Sequence, residues 1–296
     1  MFSLQEILPF QHTHRPLIIL LRQHDLLLKA GAPCAKCTSP MVLRTDGLVA
    51  DGQSFLCRNC NERSSIRSRS IFANHHLSLY LLTQLLIFFQ AQLTVTQSTT
   101  LSDLSHASVS HIYKSLRQRI EEYNEQHPII YDMDDIIEVD ETLIKALKIE
   151  ATDEEEGREG WVIGLVGRKS HLIHLEMIND RRAETLINII KQHVPPHTRI
   201  TTDQHASYGD LMYTHEYAPC FKYHVGSSSF VMTYTEPSAR HESWRVHTNT
   251  IEGTWALLKS HFHQSHGWPA SYIHLVLSQF IYHSRNIPLS VALQPQ

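Results

Sequence analysis

The sequence predicts a mixed α/β chain: a mixed sheet flanked by helices in its second half, preceded by a four-cysteine zinc ribbon and a helical region of helix-turn-helix type. Three observations predict it. Two Cys-x-x-Cys pairs stand 19 residues apart near the N-terminus. A long run ending at Tyr123 repeats apolar residues with a helical period. Beyond it, short β-branched runs alternate with helical patterns, and carboxylates sit inside or at the ends of those runs.

Residues 1–33 are expected to be a helical segment and residues 34–60 the ribbon. Cys34-Ala-Lys-Cys37 and Cys57-Arg-Asn-Cys60 can each place two thiolates on one turn, and the two knuckles together complete a tetrahedral site. All four ligands come from the protein, so the one zinc ion is structural and has no open position. Met41–Leu43 and Ser54–Leu56 read as short strands around an Asp46-Gly47 turn. Cys220, alone and distant, is expected to be a buried small residue.

Residues 61–127 are expected to be helical. Leu77–Ala91 is apolar nearly all round, the mark of a buried helix, and a short helix is expected at Ser98–Leu104. From Ser108, the residues Val109, Ile112, Tyr113, Leu116, Ile120 and Tyr123 share one helical face. The other face carries Ser110, His111, Lys114, Arg117 and Gln118. That pattern suits a helix-turn-helix that reads DNA, and equally an amphipathic helix with a solvated face. Arg58, Arg63, Arg67 and Arg69 add a basic run opposed only by Glu62, which could follow a phosphate backbone or simply be solvated. The residue before Pro128 is pushed out of the helical region, so the boundary is placed at 127/128.

Residues 128–296 form the larger domain. Ile136–Ile144 reads as a strand with Asp140 and Glu141 at its centre, and Asp153–Gly157 as an acidic solvated loop. Trp161–Gly167 and His171–Ile178 read as a hairpin, Ala183–His193 as a helix, Thr198–Thr202 as a strand ending at Asp203, and Asn249 to about Phe262 as a helix. A carboxylate in a buried strand is costly unless paired or bound to a cation. Asp140, Asp203 and Glu252, from three elements, could converge on two divalent cations about 3.5–4 Å apart, as in phosphodiester chemistry. Hard oxygen ligands favour Mg²⁺ or Mn²⁺. Plainer roles are equally open on chemistry alone. Glu141 could replace Asp140 as the ligand, Asp203 could cap a following helix, and Glu252 could close a capping box with Asn249.

Composition bounds the class. At 296 residues, 42% of them apolar, the chain can build a substantial core. No segment approaches the ~20 apolar residues of a membrane span, so no membrane partner is expected. The N-terminus carries no secretory pattern. The net charge of −4 divides into +3 over residues 1–130 and −7 over 131–296, so charge alone does not announce nucleic acid.

Three motifs carry a family resemblance: Val139-Asp140-Glu141-Thr142, Thr202-Asp203-Gln-His-Ala-Ser-Tyr208 and His247-Thr-Asn-Thr-Ile-Glu252-Gly-Thr-Trp255-Ala-Leu-Leu-Lys259. Together they resemble the Merlin superfamily of cut-and-paste transposases and its bacterial insertion-sequence relatives, the last motif being the most specific. The resemblance extends through the ribbon and Ile71–Leu79 over nearly the whole chain. It implies a DDE transposase with a ribonuclease-H-like fold and Asp140, Asp203 and Glu252 as catalytic metal ligands. Lys259 matches a basic residue that contacts DNA phosphate, and Asn249 is the rival third position. The implied partners are double-stranded DNA (terminal inverted repeats and target) and further copies of the chain assembled on it. The implied location is the nucleus of a eukaryotic host, or the cytoplasm and nucleoid of a bacterial one. The alternatives are a domesticated DNA-binding descendant without catalysis and a junction or RNA-hybrid nuclease of the same fold.

Overall fold

The computed structural model describes residues 3–11, 14–144, 147–148, 160–203, 206–212, 218–221, 224–225, 228–229, 232–235, 243–264 and 268–295. The acidic loop at 153–157 and the side chain of Cys220 lie outside the described residues. The chain folds as two compact units, Met1–Tyr123 with Ile287–Gln296, and Asn124–Asn286. The expected boundary at 127/128 thus falls at the end of the long helix, and the last ten residues join the first unit rather than the second.

In the first unit, helices α1 (Leu4–Ile7) and α2 (His14–Gln23) precede a three-stranded antiparallel sheet of β1 (Met41–Thr45), β2 (Gln53–Cys57) and β3 (Arg63–Ser65). The first two strands match the expectation. β3 is additional: its Arg-Ser-Ser sequence has no apolar alternation, and its pairing with β2 defines it. The knuckles are near copies of each other. The N–H groups of Thr38 and Asn61 bond to the carbonyls of Cys34 and Cys57, and both residues sit in the left-handed region, at φ 60° and 57°. In the same way, the N–H groups of Cys34 and Cys57 bond to the carbonyls of Ser39 and Glu62.

Three helices follow: α3 (Leu79–Gln90), α4 (Val95–Ser102) and α5 (His106–Gln126). Ser78 caps α3 through its hydroxyl, and α4 opens on a Thr94/Gln97 capping box. α4 ends at Asp103 in the left-handed region, so a turn of only three residues separates it from α5. A buried hydroxyl pair, Ser98 and Tyr113 at 2.6 Å, ties α4 to α5. The buried stripe of α5 is Val109, Ile112, Tyr113, Leu116, Arg117 and Ile120.

The second unit is built on a five-stranded mixed sheet. Its strands are β4 (Ile136–Ile144), β5 (Gly160–Gly167), β6 (Ile173–Ile178), β7 (Arg199–Thr202) and β8 (Ala218–Phe221), in the order β6-β5-β4-β7-β8. β4, β5 and β6 form an antiparallel meander, and β7 and β8 run parallel to β4. The return from β6 to β7 is made by α6 (Ala183–His193), whose Leu186, Ile187, Ile189 and Ile190 enter the core. α7 (Asn249–Gln264) packs on β4 and β5, and α8 (Ile273–Ser284) on β6. A last short helix, α9 (Leu289–Ala292), belongs to the first unit. No helix among the described residues is long and apolar enough to cross a membrane.

Candidate active site

β4 presents its carboxylates to two different faces, because successive strand residues alternate. Asp140 and Glu138 look towards α7, while Glu141 looks towards α6 and the 3-10 turn Ala206–Met212.

Asp140 is mostly buried, and its Oδ2 accepts a 2.9 Å hydrogen bond from the Trp255 indole N–H. The ring reaches it because the residue opposite Asp140 on β5 is Gly164. A Cβ there would stand 2.5 Å from Trp255 Cη2. Asp203 comes level with Asp140 through strand register. Ile136 faces Arg199, Ile137 faces Ile200 and Glu138 faces Thr201. Carried two residues further, the parallel pairing sets Asp203 beside Asp140 on the same face. Burial pushes the Asp140 pKa up to about 6, with repulsion from Asp203 and Glu141 adding to it and the Trp255 bond opposing. Two carboxylates held together in a desolvated place are a donor set that a hard divalent cation would neutralise, so these residues fit the metal their chemistry implies.

Glu252 lies on the first turn of α7, exposed, with its Oε1 accepting a 2.8 Å bond from the Thr248 hydroxyl. It precedes Trp255 by one helical turn, which sets it on the Asp140 side of the helix. The capping box with Asn249 is not formed. The helix starts at Asn249, whose N–H bonds to His247 Nδ1 at 3.4 Å, and the first turn closes from Glu252 N–H to Thr248 C=O. Asn249 is exposed, as is Lys259 two turns beyond Glu252.

Glu138 was not expected to matter, yet it is fully buried and organises the helix start. Its Oε2 accepts the N–H groups of Thr250 and Ile251 at 2.8 and 3.0 Å. Its Oε1 takes the Thr250 hydroxyl at 3.0 Å and the Arg168 guanidinium at 2.6 Å. A strand carboxylate thereby supplies the cap and the negative charge that the α7 N-terminus calls for. The signal was in the sequence, since Glu138 shares the face of Asp140 and is as costly to bury unpaired.

Glu141 is accounted for differently. It is ion-paired with Arg181 at 3.0 Å and accepts the Tyr208 hydroxyl. Arg181 in turn lies 4.3 Å over the Trp161 ring. Burial, with the nearby carboxylates, raises the Tyr208 pKa well above its ordinary value, so the phenol stays a donor.

In the first unit the four cysteines converge. Cys34 and Cys60 sulfurs are 3.6 Å apart, and Cys37 is 3.4 Å from both Cys57 and Cys60. These are too long for disulfides and close to the ~3.8 Å edge of a tetrahedron with 2.3 Å zinc–sulfur bonds. The four thiols therefore fit one zinc ion.

The basic residues divide. Arg58, Arg63, Arg69 and Lys114 are exposed. Arg67 and Arg117 are not, which corrects the expectation that Arg67 belongs to a phosphate-following or solvated basic run and Arg117 to the outer face of its helix. Arg67 is buried in a bidentate pair with Asp51, both bonds 2.6 Å, and its remaining nitrogen bonds to the carbonyls of His75 and Leu77. Arg117 is buried over the rings of Phe89 and Tyr113, at 5.4 and 5.8 Å. It follows Tyr113 by four residues, so the helical period itself puts it on the buried stripe.

Residues 132–284, just over half of the chain, match the family described as the ISXO2-like transposase domain. Comparison with curated proteins finds no match. Among solved structures, the cryo-EM structure of a simian T-cell lymphotropic virus intasome in complex with PP2A regulatory subunit B56 gamma aligns at 14% identity. The alignment covers 69% of this chain and 75% of that one, with a TM-score of 0.32.

Proposed function

Because the chain belongs to the ISXO2-like transposase domain family, an insertion-sequence family of DDE transposases, we propose that it cuts and joins DNA at the ends of a mobile element by metal-dependent phosphodiester chemistry. The observation that carries this reading is the register that sets Asp140 beside Asp203 on one face of the sheet, under a helix whose first turn carries Glu252. The three-strand meander with two parallel additions supports a ribonuclease-H-like fold, and the motifs around Glu252 support kinship with the Merlin superfamily.

Asp140, Asp203 and Glu252 would hold two Mg²⁺ or Mn²⁺ ions, which when bound activate water or a 3′-hydroxyl and stabilise the leaving oxygen. Trp255 orients Asp140, and Glu138 fixes the helix that carries Glu252. Lys259 neutralises a nearby phosphate. The ribbon, with one structural zinc, and the α4-turn-α5 segment, of helix-turn-helix type, bind the terminal inverted repeats through Arg58, Arg63, Arg69 and Lys114. Copies of the chain assemble on that DNA.

The test uses oligonucleotides carrying an element end, with cleavage, strand transfer and binding measured separately. Asp140→Asn, Asp203→Asn and Glu252→Gln are each expected to abolish both reactions while binding persists. An amide can still accept the Thr248 hydroxyl, so an active Glu252→Gln enzyme together with a dead Asn249→Ala enzyme would move the third position to Asn249. Binding by the unaltered chain without any cleavage in Mg²⁺ or Mn²⁺ would favour a DNA-binding protein without catalysis.

A further inference from the structure

His174 and Glu176 are alternate residues of β6, so their side chains leave the same face of the sheet. Register makes it the face opposite Asp140. Glu176 pairs across Ile163 to Glu141, and Leu175 pairs across Gly164 to Asp140. On that face His193, in the last turn of α6, meets them. The His174 and His193 rings lie 3.6 Å apart by centroid, and His174 Nε2 is 3.3 Å from Glu176 Oε2. One nitrogen from each histidine and one glutamate oxygen all fall within 4.8 Å of one another.

We propose that His174, Glu176 and His193 form a second zinc site, separate from the cysteine ribbon and from the Asp140–Asp203 face. Two imidazoles and one carboxylate are a recognised zinc ligand set that leaves a fourth position for water. Donors bonded to zinc at 2.0–2.2 Å stand about 3.3–3.5 Å apart; the His174–Glu176 pair already has that spacing, and a bound ion would open the 3.6 Å His174–His193 stack to about 5 Å between centroids. The tautomer of His193 is fixed by its surroundings. Its Nδ1 lies 2.7 Å from the Ile129 carbonyl, which can only accept, so Nδ1 carries the proton and Nε2 keeps its lone pair. A backbone carbonyl behind a histidine is the outer support that metal-bound imidazoles ordinarily have. Exposure grades from buried His193 to Glu176, whose side chain is 45% exposed, so an ion can enter from solvent. Bound there, zinc would pin the edge strand to the end of α6.

The test is metal stoichiometry of the full chain, equilibrated with micromolar zinc in excess magnesium so that the Asp140–Asp203 face holds no zinc. His174→Ala and Glu176→Gln change partly exposed side chains, so both proteins should fold. The expected result is one zinc per chain fewer in each variant than in the unaltered protein. Cobalt substitution separates the sites, because the thiolate-to-cobalt band reports only the cysteines and should be unchanged in both variants. Equal zinc content in the unaltered chain and both variants would overturn the proposal. A missing thiolate band with the one-zinc difference intact would instead count against the ribbon alone.

Discussion

Asp140 is held in a place that disfavours its charge, and that has opposite effects on stability and on activity. Its pKa of about 6 in the fold lies above the ordinary 3.8. Between those values the folded state binds the proton more tightly, so this group stabilises the fold at low pH and loses that contribution as pH rises through about 6. The cost at pH 7.5 is on the order of 3 kcal/mol. Asp140→Asn is therefore expected to raise the unfolding midpoint of protein dialysed free of magnesium while abolishing the cleavage proposed above. An Asp140→Asn protein no more stable than its parent at pH 7.5 would contradict this. Arg63 and Arg67 offer a second comparison. Arg63→Ala should weaken DNA binding and flatten its salt dependence with little change in stability. Arg67→Ala should leave Asp51 buried and unpaired, at a cost of about 3–5 kcal/mol by denaturant titration. The convergence of the cysteines was legible in their Cys-x-x-Cys spacing, and Asp140 and Asp203 stood out as carboxylates within and at the end of β-branched runs. The burial of Arg67 was not legible, because only the fold pairs it with Asp51, and the cost of burying Glu138 was readable while its partner, the α7 N-terminus, was not.

At the scale of elements, the helices at Leu79–Gln90 and His106–Gln126 and the strands of the meander were legible from periodicity, whereas the short helix expected at Ser98–Leu104 starts and ends earlier, at Val95–Ser102, and α8 was not read at all. Ala183–His193 matches the expected helix, and Ile136–Ile144 the expected strand. What periodicity could not supply was the meeting of β5 with α7, which depends on a missing side chain. Gly164→Ala is expected to keep the sheet but displace the Trp255 ring, since the added carbon would overlap it. Overpacking of this kind costs about 1–3 kcal/mol. Activity should fall with it as Asp140 loses its indole partner, and the Trp255 emission should shift. Unchanged activity and emission would mean that the ring adjusts and that the Asp140 bond is dispensable. Gly164→Ser should be worse, being larger at the same point.

For the whole molecule, the sequence told the order of elements but neither the sheet order nor the destination of the tail. Strand order is set by pairings between distant segments, such as β4 with β7. Leu289, Ala292 and Leu293 are buried, but three small apolar positions carry no pattern that identifies what they pack against. A chain ending at Asn286 is accordingly expected to lose stability in the ribbon-and-helix unit, not in the unit that holds the carboxylates, as hydrogen exchange resolved by segment would show. Exchange raised only in residues 124–286 would refute that assignment. The chain's path has a further consequence. The second unit begins at Asn124 and ends at Asn286, and its two ends are bonded together, Arg285 Nε to Asn124 Oδ1 at 3.2 Å and Asn124 Nδ2 to the Ser278 carbonyl at 2.8 Å. It is an insertion with adjoining entry and exit. It is expected to tolerate excision as a single cassette and closure head to tail, whereas the unit it interrupts becomes two separate pieces wherever the cassette is removed without a bridge.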